Sequence, residues 1–391
     1  MHARLTALAA TALALLVAGC GGAAPAAAPS QATGAAPATS GAKPAAASPA
    51  AAGPGTSAST AASPGLQAIV DGAKKEGALN LMWSGNAAGG PIIPQLADGF
   101  NKLYGLNLKV QFTPGPDFAT FADKVVQEHK AGQPASSDAL LMAGTGVNSA
   151  LQDNLLLADD WSWASNIHPP SIENNAFVNI ETYLFGITYN VKKFPAAAPK
   201  TMKDLLDPKY KGRIATHPAA TGFDAMSAMW GKEAALAYAT KFADQVGGLL
   251  RCGTPESITS GEFDVYAIDC SQGPTLHAKA MGQPLDYVVP SDFPVIDPIY
   301  LGVPKNSAHP NAAKLWINYV ESRDGQDRLY QSDFEDAHTA PGSKTAQLID
   351  QMKSQGVQFT SNDVKFYQSH NLADLSAFTK KVQGLLQQKA K

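Results

Sequence analysis

The chain has 391 residues, with 30 Lys and Arg against 33 Asp and Glu, a formal net charge of −3 and 45% hydrophobic residues. This near-balance, with no basic stripe and no aromatic nucleic-acid motif, excludes a nucleic-acid partner. The folded part is longer than one hydrophobic core usually serves, so two lobes are expected.

Met1-His2-Ala3-Arg4 is a short basic start, and Leu5 to Val17 is an apolar run. It has the length of a signal-peptide core and is too short for a stable membrane span. Val17-Ala18-Gly19-Cys20 follows, and small residues just before a cysteine resemble the bacterial lipobox. The resemblance implies cleavage of residues 1–19, lipidation of Cys20 and export. Residues 20–64 are nearly all Ala, Pro, Gly, Ser and Thr, with Lys43 as the only charge. Such a segment cannot bury enough apolar surface to offset its ordering entropy and is expected to be a disordered, extended tether. Acyl chains would then be the only membrane attachment.

From about Gly65 the composition is globular. Leu66, Ile69, Val70 and Ala73 repeat at helical spacing up to Gly77, and Ala78 to Trp83 reads as a short buried strand. A loop over 84–90 precedes a helix opened by Pro91. Leu106, Leu108, Val110 and Phe112 alternate as a strand, and a helix over 118–130 follows. Ala139 to Met142 is a further strand, followed by Gly144-Thr145-Gly146 and a helix to about Asp153. Tyr183 to Tyr189 is one longer extended segment. A second series has strands at 213–215, 265–268, 285–289 and 299–303 and helices at 223–230, 232–246, 272–280, 311–321 and 375–388. Strands alternating with helices give an α/β fold with largely parallel sheets. Cys252 and Cys270, an even pair in an exported body, are a disulfide candidate. Two separate buried thiols are the alternative, because sequence does not fix the distance between Cα atoms.

The segment Leu205-Leu206-Asp207-Pro208-Lys209-Tyr210-Lys211-Gly212-Arg213-Ile214-Ala215 resembles a recurrent stretch of the solute-binding proteins of bacterial ABC importers, in the group that includes the ferric-iron-binding proteins. Ile187-Thr188-Tyr189-Asn190, Leu301-Gly302-Val303-Pro304 and His309-Pro310-Asn311 through Trp316 fit the same group. The match runs over about 66–345. The resemblance implies the two-lobed type 2 periplasmic-binding-protein fold, in which hinge-crossing strands join the lobes and a ligand sits in the cleft between them. Mapped onto this chain, lobe one is 65–172 and 290–345, lobe two is 173–289, and C-terminal helices over 346–391 pack on lobe two. It also implies a periplasmic or cell-envelope location, an ABC permease as partner and a monomer that closes on a small-molecule solute. Presentation of the ligand to a membrane sensor would use the same fold.

Ligands of open α/β sheets sit beyond the carboxyl ends of strands, where helix N-termini offer free N–H groups. This rule selects Ser84, Gly85 and Asn86; Gly144 and Thr145; Thr221, Gly222 and Phe223; and Asp269, Ser271 and Gln272. Their hydroxyls, amides and N–H groups suit a small oxygen-rich solute; helix caps and turns are the alternative role. Trp83, Phe223, Tyr266 and Tyr300 are candidate pocket walls. Ferric-binding members carry an adjacent tyrosine pair after a strand of lobe two. Here that stretch reads Tyr266-Ala267-Ile268-Asp269-Cys270-Ser271-Gln272, without the pair. An organic or oxyanion solute is therefore expected ahead of ferric iron, with no metal site and no cofactor. No Gly-x-Ser-x-Gly elbow, P-loop or His-Glu-x-x-His occurs, so catalysis is not expected.

Overall fold

The structure, a computed structural model, describes residues 63–389 except 116–117 and 195–197. The leader, Cys20 and the tether lie outside the described residues. The first helix, α1 (Pro64–Glu76), is capped by Ser63, whose hydroxyl accepts the Leu66 N–H at 3.2 Å, and stops at Gly77 in the left-handed region (φ 73°). Then come β1 (Ala78–Ser84), α2 (Ile93–Tyr104), β2 (Lys109–Gly115), α3 (Phe118–Lys130), β3 (Leu140–Met142), α4 (Thr145–Gln152), β4 (Ile172–Glu173) and β5 (Phe177–Leu184). After Phe185 the chain continues as β6 (Gly186–Asn190), β7 (Ile214–Thr216), α5 (Phe223–Trp230), α6 (Lys232–Ala243), β8 (Val246–Leu249), α7 (Glu256–Thr259), β9 (Val265–Asp269), α8 (Gly273–Ala280) and β10 (Leu285–Val288). It ends with β11 (Val295–Gly302), α9 (Pro310–Val320), α10 (Arg323–Asp333), α11 (Lys344–Ser354), β12 (Thr360–Ser361), α12 (Val364–Ser369) and α13 (Leu372–Lys389).

Two sets of strands form. In lobe one, β1 pairs parallel with β2, while β12, β11, β5 and β4 lie side by side, with β3 antiparallel to β11. In lobe two the order is β10-β6-β9-β7-β8, with β7 parallel to both neighbours. Each lobe has its own apolar core. One contains Leu79, Leu81, Leu96, Phe100 and Trp316. The other contains Ile187, Ile214, Phe223, Phe242 and Val265.

The extended stretch read as one segment over 183–189 is two strands. Leu184 pairs with Ile296 of lobe one, and Ile187 pairs with Ala267 of lobe two, with Phe185 between. The chain therefore crosses at Phe185, inside that extended segment, and residues 173–184, mapped to lobe two, lie in lobe one, because β4 and β5 hydrogen-bond within its sheet. It crosses back over 289–294, between β10 and β11. The C-terminal helices also divide. Phe378, Val382 and Leu386 of α13 join lobe two's core. Val364, Phe366 and Tyr367 of α12 pack instead with Val125, Leu140 and Tyr300 of lobe one. The β8 strand escapes sequence reading because Val246-Gly247-Gly248-Leu249 has no apolar alternation. Its glycines are needed for close approach: a Cβ on Gly247 would lie 2.2 Å from the Gly212 carbonyl oxygen, and one on Gly248 2.3 Å from the Phe263 ring.

Asp138, fully buried, ties lobe one together. Its carboxylate accepts the N–H groups of Asn80 (2.7 Å), Ala308 (3.2 Å) and His309 (3.1 Å) and the Ser307 hydroxyl (2.9 Å). It also lies 2.8 Å from His309 Nδ1. Replacing Asp138 with Ala strands these donors and is expected to lower the unfolding free energy by about 3 kcal/mol, read as a shift of the urea midpoint.

Candidate functional site

The turn after β1 is tight. The Trp83 indole N–H donates to the Ala87 carbonyl at 3.1 Å, Ala88 has φ 47° and Gly89 φ 69°. The Gly90 backbone lies against Gly85, since a Cβ on Gly90 would stand 2.4 Å from the Gly85 oxygen. This turn presents the successive N–H groups of Ala88 and Gly89 to side chains distant in sequence. Both are occupied by the chain's own carboxylates: Ala88 N–H donates to Glu181 Oε2 (3.2 Å) and Gly89 N–H to Asp333 Oδ2 (2.7 Å). Across in lobe two, the N-terminus of α8 is filled the same way, with Gly273 N–H donating to Glu335 Oε1 at 2.8 Å.

Sequence reading selected both of these loops but missed Glu181, Asp333 and Glu335. Glu181 sits on β5, every residue of which is buried, so a carboxylate in that apolar strand was the available signal. Asp333 and Glu335 flank Phe334, which takes the left-handed region (φ 58°) at the end of α10. A non-glycine there is strained, and such strain collects at functional sites. The Phe334 ring packs edge-on against His277 of α8, 5.8 Å away. Gln272 spans the lobes as well: its Oε1 accepts Leu184 N–H (2.9 Å) and its Nε2 donates to the Thr182 carbonyl (3.3 Å).

The other candidates divide between seam and core. Asn86 is exposed and faces Gly253, where a Cβ would lie 3.9 Å from Asn86 Nδ2. Ser84 and Ser271 are buried, and Gly85 is half-buried. Asp269 accepts the Thr188 hydroxyl (2.6 Å) and the N–H groups of Gly253 and Cys270 (3.1 Å each). It follows Ile268, a β-branched residue at φ 52°. Cys252 and Cys270 are disulfide-bonded, with Cα atoms 5.6 Å apart, which ties the loops after β8 and β9 together. Gly144 (φ 47°) borders Tyr367, whose hydroxyl lies 3.2 Å from a Cβ built on Gly144; Thr145 begins α4. The Thr221 hydroxyl is 3.0 Å from His217 Nδ1. Gly222 (φ 83°) packs under Ile268 and Phe185. The four aromatics proposed as walls are instead core residues, each with under 2% of its surface exposed. Trp83 and Phe223 sit in the main cores of lobes one and two, Tyr266 in a smaller lobe-two cluster, and Tyr300 beside Phe177. A hollow of about 510 Å³ bordered by Lys203, Trp230, Tyr238 and Lys241 is built from lobe-two residues alone.

A family model described as bacterial extracellular solute-binding protein matches residues 147–363, more than half of the chain. The chain belongs to this family. The curated proteins include no match. Among solved structures, an ABC-transporter substrate-binding protein from Agrobacterium tumefaciens is 16% identical, with a TM-score of 0.66 over 79% of this chain and 94% of that one. AgtB from A. tumefaciens R10, solved with agropinic acid, is 19% identical with a TM-score of 0.61, covering 79% and 98%. Iron-bound HitA from Pseudomonas aeruginosa is 17% identical with a TM-score of 0.59, covering 80% and 99%. The fold is therefore that of the type 2 periplasmic binding proteins, two lobes joined by crossing strands. As a member of the bacterial extracellular solute-binding proteins, the chain belongs to a family that binds solutes outside the cytoplasm.

The electrostatics of this solute-binding protein are unusual at the seam. Burial, reinforced by neighbouring carboxylates, pushes Glu181 and Glu335 well above the ordinary range, and burial raises Asp333. Burial also raises Asp269 to about 6, Asp297 to about 7 and Glu321 to about 8. A carboxyl raised in the folded state keeps its proton after the unfolded chain has lost it at about pH 4, so stability falls as pH rises towards the folded value. Salt-bridged carboxyls such as Asp264, which the Arg213 guanidinium holds low, act with the opposite sign, but below that window. The unliganded protein is expected to melt at a lower temperature at pH 8 than at pH 5, checked by calorimetry across that range. Reducing the 252–270 disulfide, which closes a loop with a sequence separation of 18, is expected to cost about 3 kcal/mol, measured by denaturant unfolding with and without reductant.

Proposed function

We propose that this solute-binding protein is a lipid-anchored monomer that captures a small organic solute between its lobes and hands it to an ABC importer. The observation that carries the reading is the convergence of polar groups from both lobes on the crossing strand β5. Glu181 reaches the turn after β1, and Gln272 reaches from the start of α8 back to Thr182 and Leu184. Groups placed on both sides of a hinge favour the closed form when one solute touches both. The anchor reading rests on the Val17-Ala18-Gly19-Cys20 sequence and the Ala/Pro-rich stretch after it. The disulfide agrees with an oxidising compartment. Organic solute is preferred to ferric iron because the loop after β9 offers a bonded cysteine, a serine and an engaged glutamine where ferric-binding members carry tyrosines. The acidic side chains at the seam favour an organic solute over an oxyanion, since an anion would meet carboxylates where free N–H groups were expected.

The test is mass spectrometry of the full protein extracted from its native membrane. Intact mass should show an N-terminus at Cys20 carrying acyl chains. Denaturation should release one organic solute in near-stoichiometric amount. Stoichiometric iron in place of an organic molecule would overturn the solute class. Release of nothing, with no compaction in small-angle scattering on adding a metabolite extract, would overturn capture itself.

A further inference from the structure

We infer that the solute is a cation, and that Glu181, Asp333 and Glu335 receive its amine at the seam between the lobes. The inference rests on the capture reading above and narrows it. The three carboxylates come from two separate stretches of chain, β5 and the turn after α10, and each is oriented by a backbone N–H: Ala88 and Gly89 of lobe one, Gly273 of lobe two. One oxygen of each is thus fixed. The second oxygen of Glu181 is buried without a hydrogen bond of good geometry, on a residue with no exposed surface, and the Tyr183 hydroxyl and the Asp333 carboxyl are its polar neighbours. An unpaired carboxylate oxygen in that position is costly unless something positively charged or protic meets it. Among the described residues, no ion pair includes any of the three; the salt bridges all lie elsewhere. Phe334, between Asp333 and Glu335, takes the left-handed region (φ 58°). Three carboxylates without a paired Lys or Arg, all carried by lobe one and meeting lobe two through the Gly273 N–H, make poor structural glue and a good socket for an ammonium.

The arrangement favours an amine over a metal. No group of three or more His, Cys, Asp or Glu among the described residues has the spacing that would hold a metal ion. A metal needs its ligand atoms converging within about 2.6 Å, whereas an ammonium donates three hydrogen bonds of about 2.8 Å in adjustable directions. An anion is disfavoured because the N–H groups that would bind it are already taken. With no solute present, protons retained by these acids provide the compensation, and an arriving ammonium displaces them into solvent. Affinity for a cation therefore rises with pH. The titratable groups facing the cluster are Tyr183 on β5, Asp269 on β9, His277 on α8 and Tyr287 on β10.

The test uses the full chain in detergent, titrated calorimetrically at pH 8 with putrescine, spermidine, the uncharged 1,4-butanediol, phosphate and ferric citrate. At least one amine is expected to bind and butanediol is not. The amine's affinity should drop at least tenfold in Glu181→Gln and in Glu335→Gln. Both variants should still melt cooperatively, and at pH 8 no lower than the parent, since each removes a buried acid. Should either variant fail to fold, the parent protein decides through its pH profile, in which amine affinity rises from pH 5 to pH 8. Amines that give no heat, an affinity unchanged in both variants, or a flat or falling pH profile would overturn the inference. Binding of phosphate or ferric citrate without any amine would also overturn it while leaving solute capture intact. Capture itself fails only if the natively extracted protein releases nothing and does not compact.

Discussion

The structure depends on one short crossing. Leu184 is the last residue of β5 to pair within lobe one, Gly186 is the first of β6 to pair within lobe two, and Phe185 alone lies between them. So abrupt a transfer leaves no slack, and the neighbourhood is shaped to it. Gly186 carries no Cβ, where one would meet the Tyr287 ring at 2.3 Å. The Tyr287 hydroxyl donates to the Leu184 carbonyl, so lobe two grips the last turn of lobe one's strand. The return crossing is braced by the Trp230 indole, which donates to the Asp292 carbonyl at 2.8 Å, and by Phe293 in lobe two's core. Two short tethers of this kind permit rotation of the lobes and little else, which is the mechanical requirement for hinge closure.

The same crossing decides where polar chemistry can be placed. A strand shared between lobes is buried throughout, so any polar side chain on it must find partners inside the protein. Asn179 does so, donating to the carbonyls of Glu181 (2.6 Å) and Ile299 (3.1 Å), and Thr182 does so through His338 at 2.8 Å. Glu181 does so for one oxygen only. The contrast within a single strand argues that Glu181 is kept for something other than cohesion. Asp138 in lobe one shows what a cohesive buried carboxylate looks like, with both oxygens saturated by donors and a histidine alongside.

Much of this architecture was legible in the chain because it is written in local patterns. The Ala78–Ser84 strand, the Phe223–Trp230 helix and the Val265–Asp269 strand all appear where apolar spacing placed them, to within about a residue. The rule that ligands gather beyond strand ends drew attention to the turn after β1 and the start of α8, and these loops do meet at the seam. What the rule cannot supply is the occupant of their N–H groups. Glu181 lies about 90 residues from both of its seam neighbours' loops, and a hydrogen bond across such a separation leaves no local trace. The aromatics failed as pocket walls for a related reason. Trp83 and Tyr266 sit at or near strand ends, but their rings point into the lobe, and the polar tip of each is satisfied there, at the carbonyls of Ala87 and Leu250. A large ring near a loop is hydrophobic area first, and burial claims it unless the fold leaves a void.

The acidic seam also bears on how closure is regulated. Charged, the three carboxylates repel one another in a low-dielectric interior, while Glu335 links them to lobe two by accepting the Gly273 N–H. A proton and a cationic solute relieve the same repulsion, so they compete for one site. They differ in reach. Protons satisfy the acids one at a time, whereas an ammonium can hold oxygens of several acids at once and is enclosed fully only when lobe two has met the cluster at Gly273. That difference is the differential affinity a two-state hinge needs for ligand to shift its populations. The acids that hold protons in the empty seam thus become, with a cation in place, the charges that meet it where the lobes join.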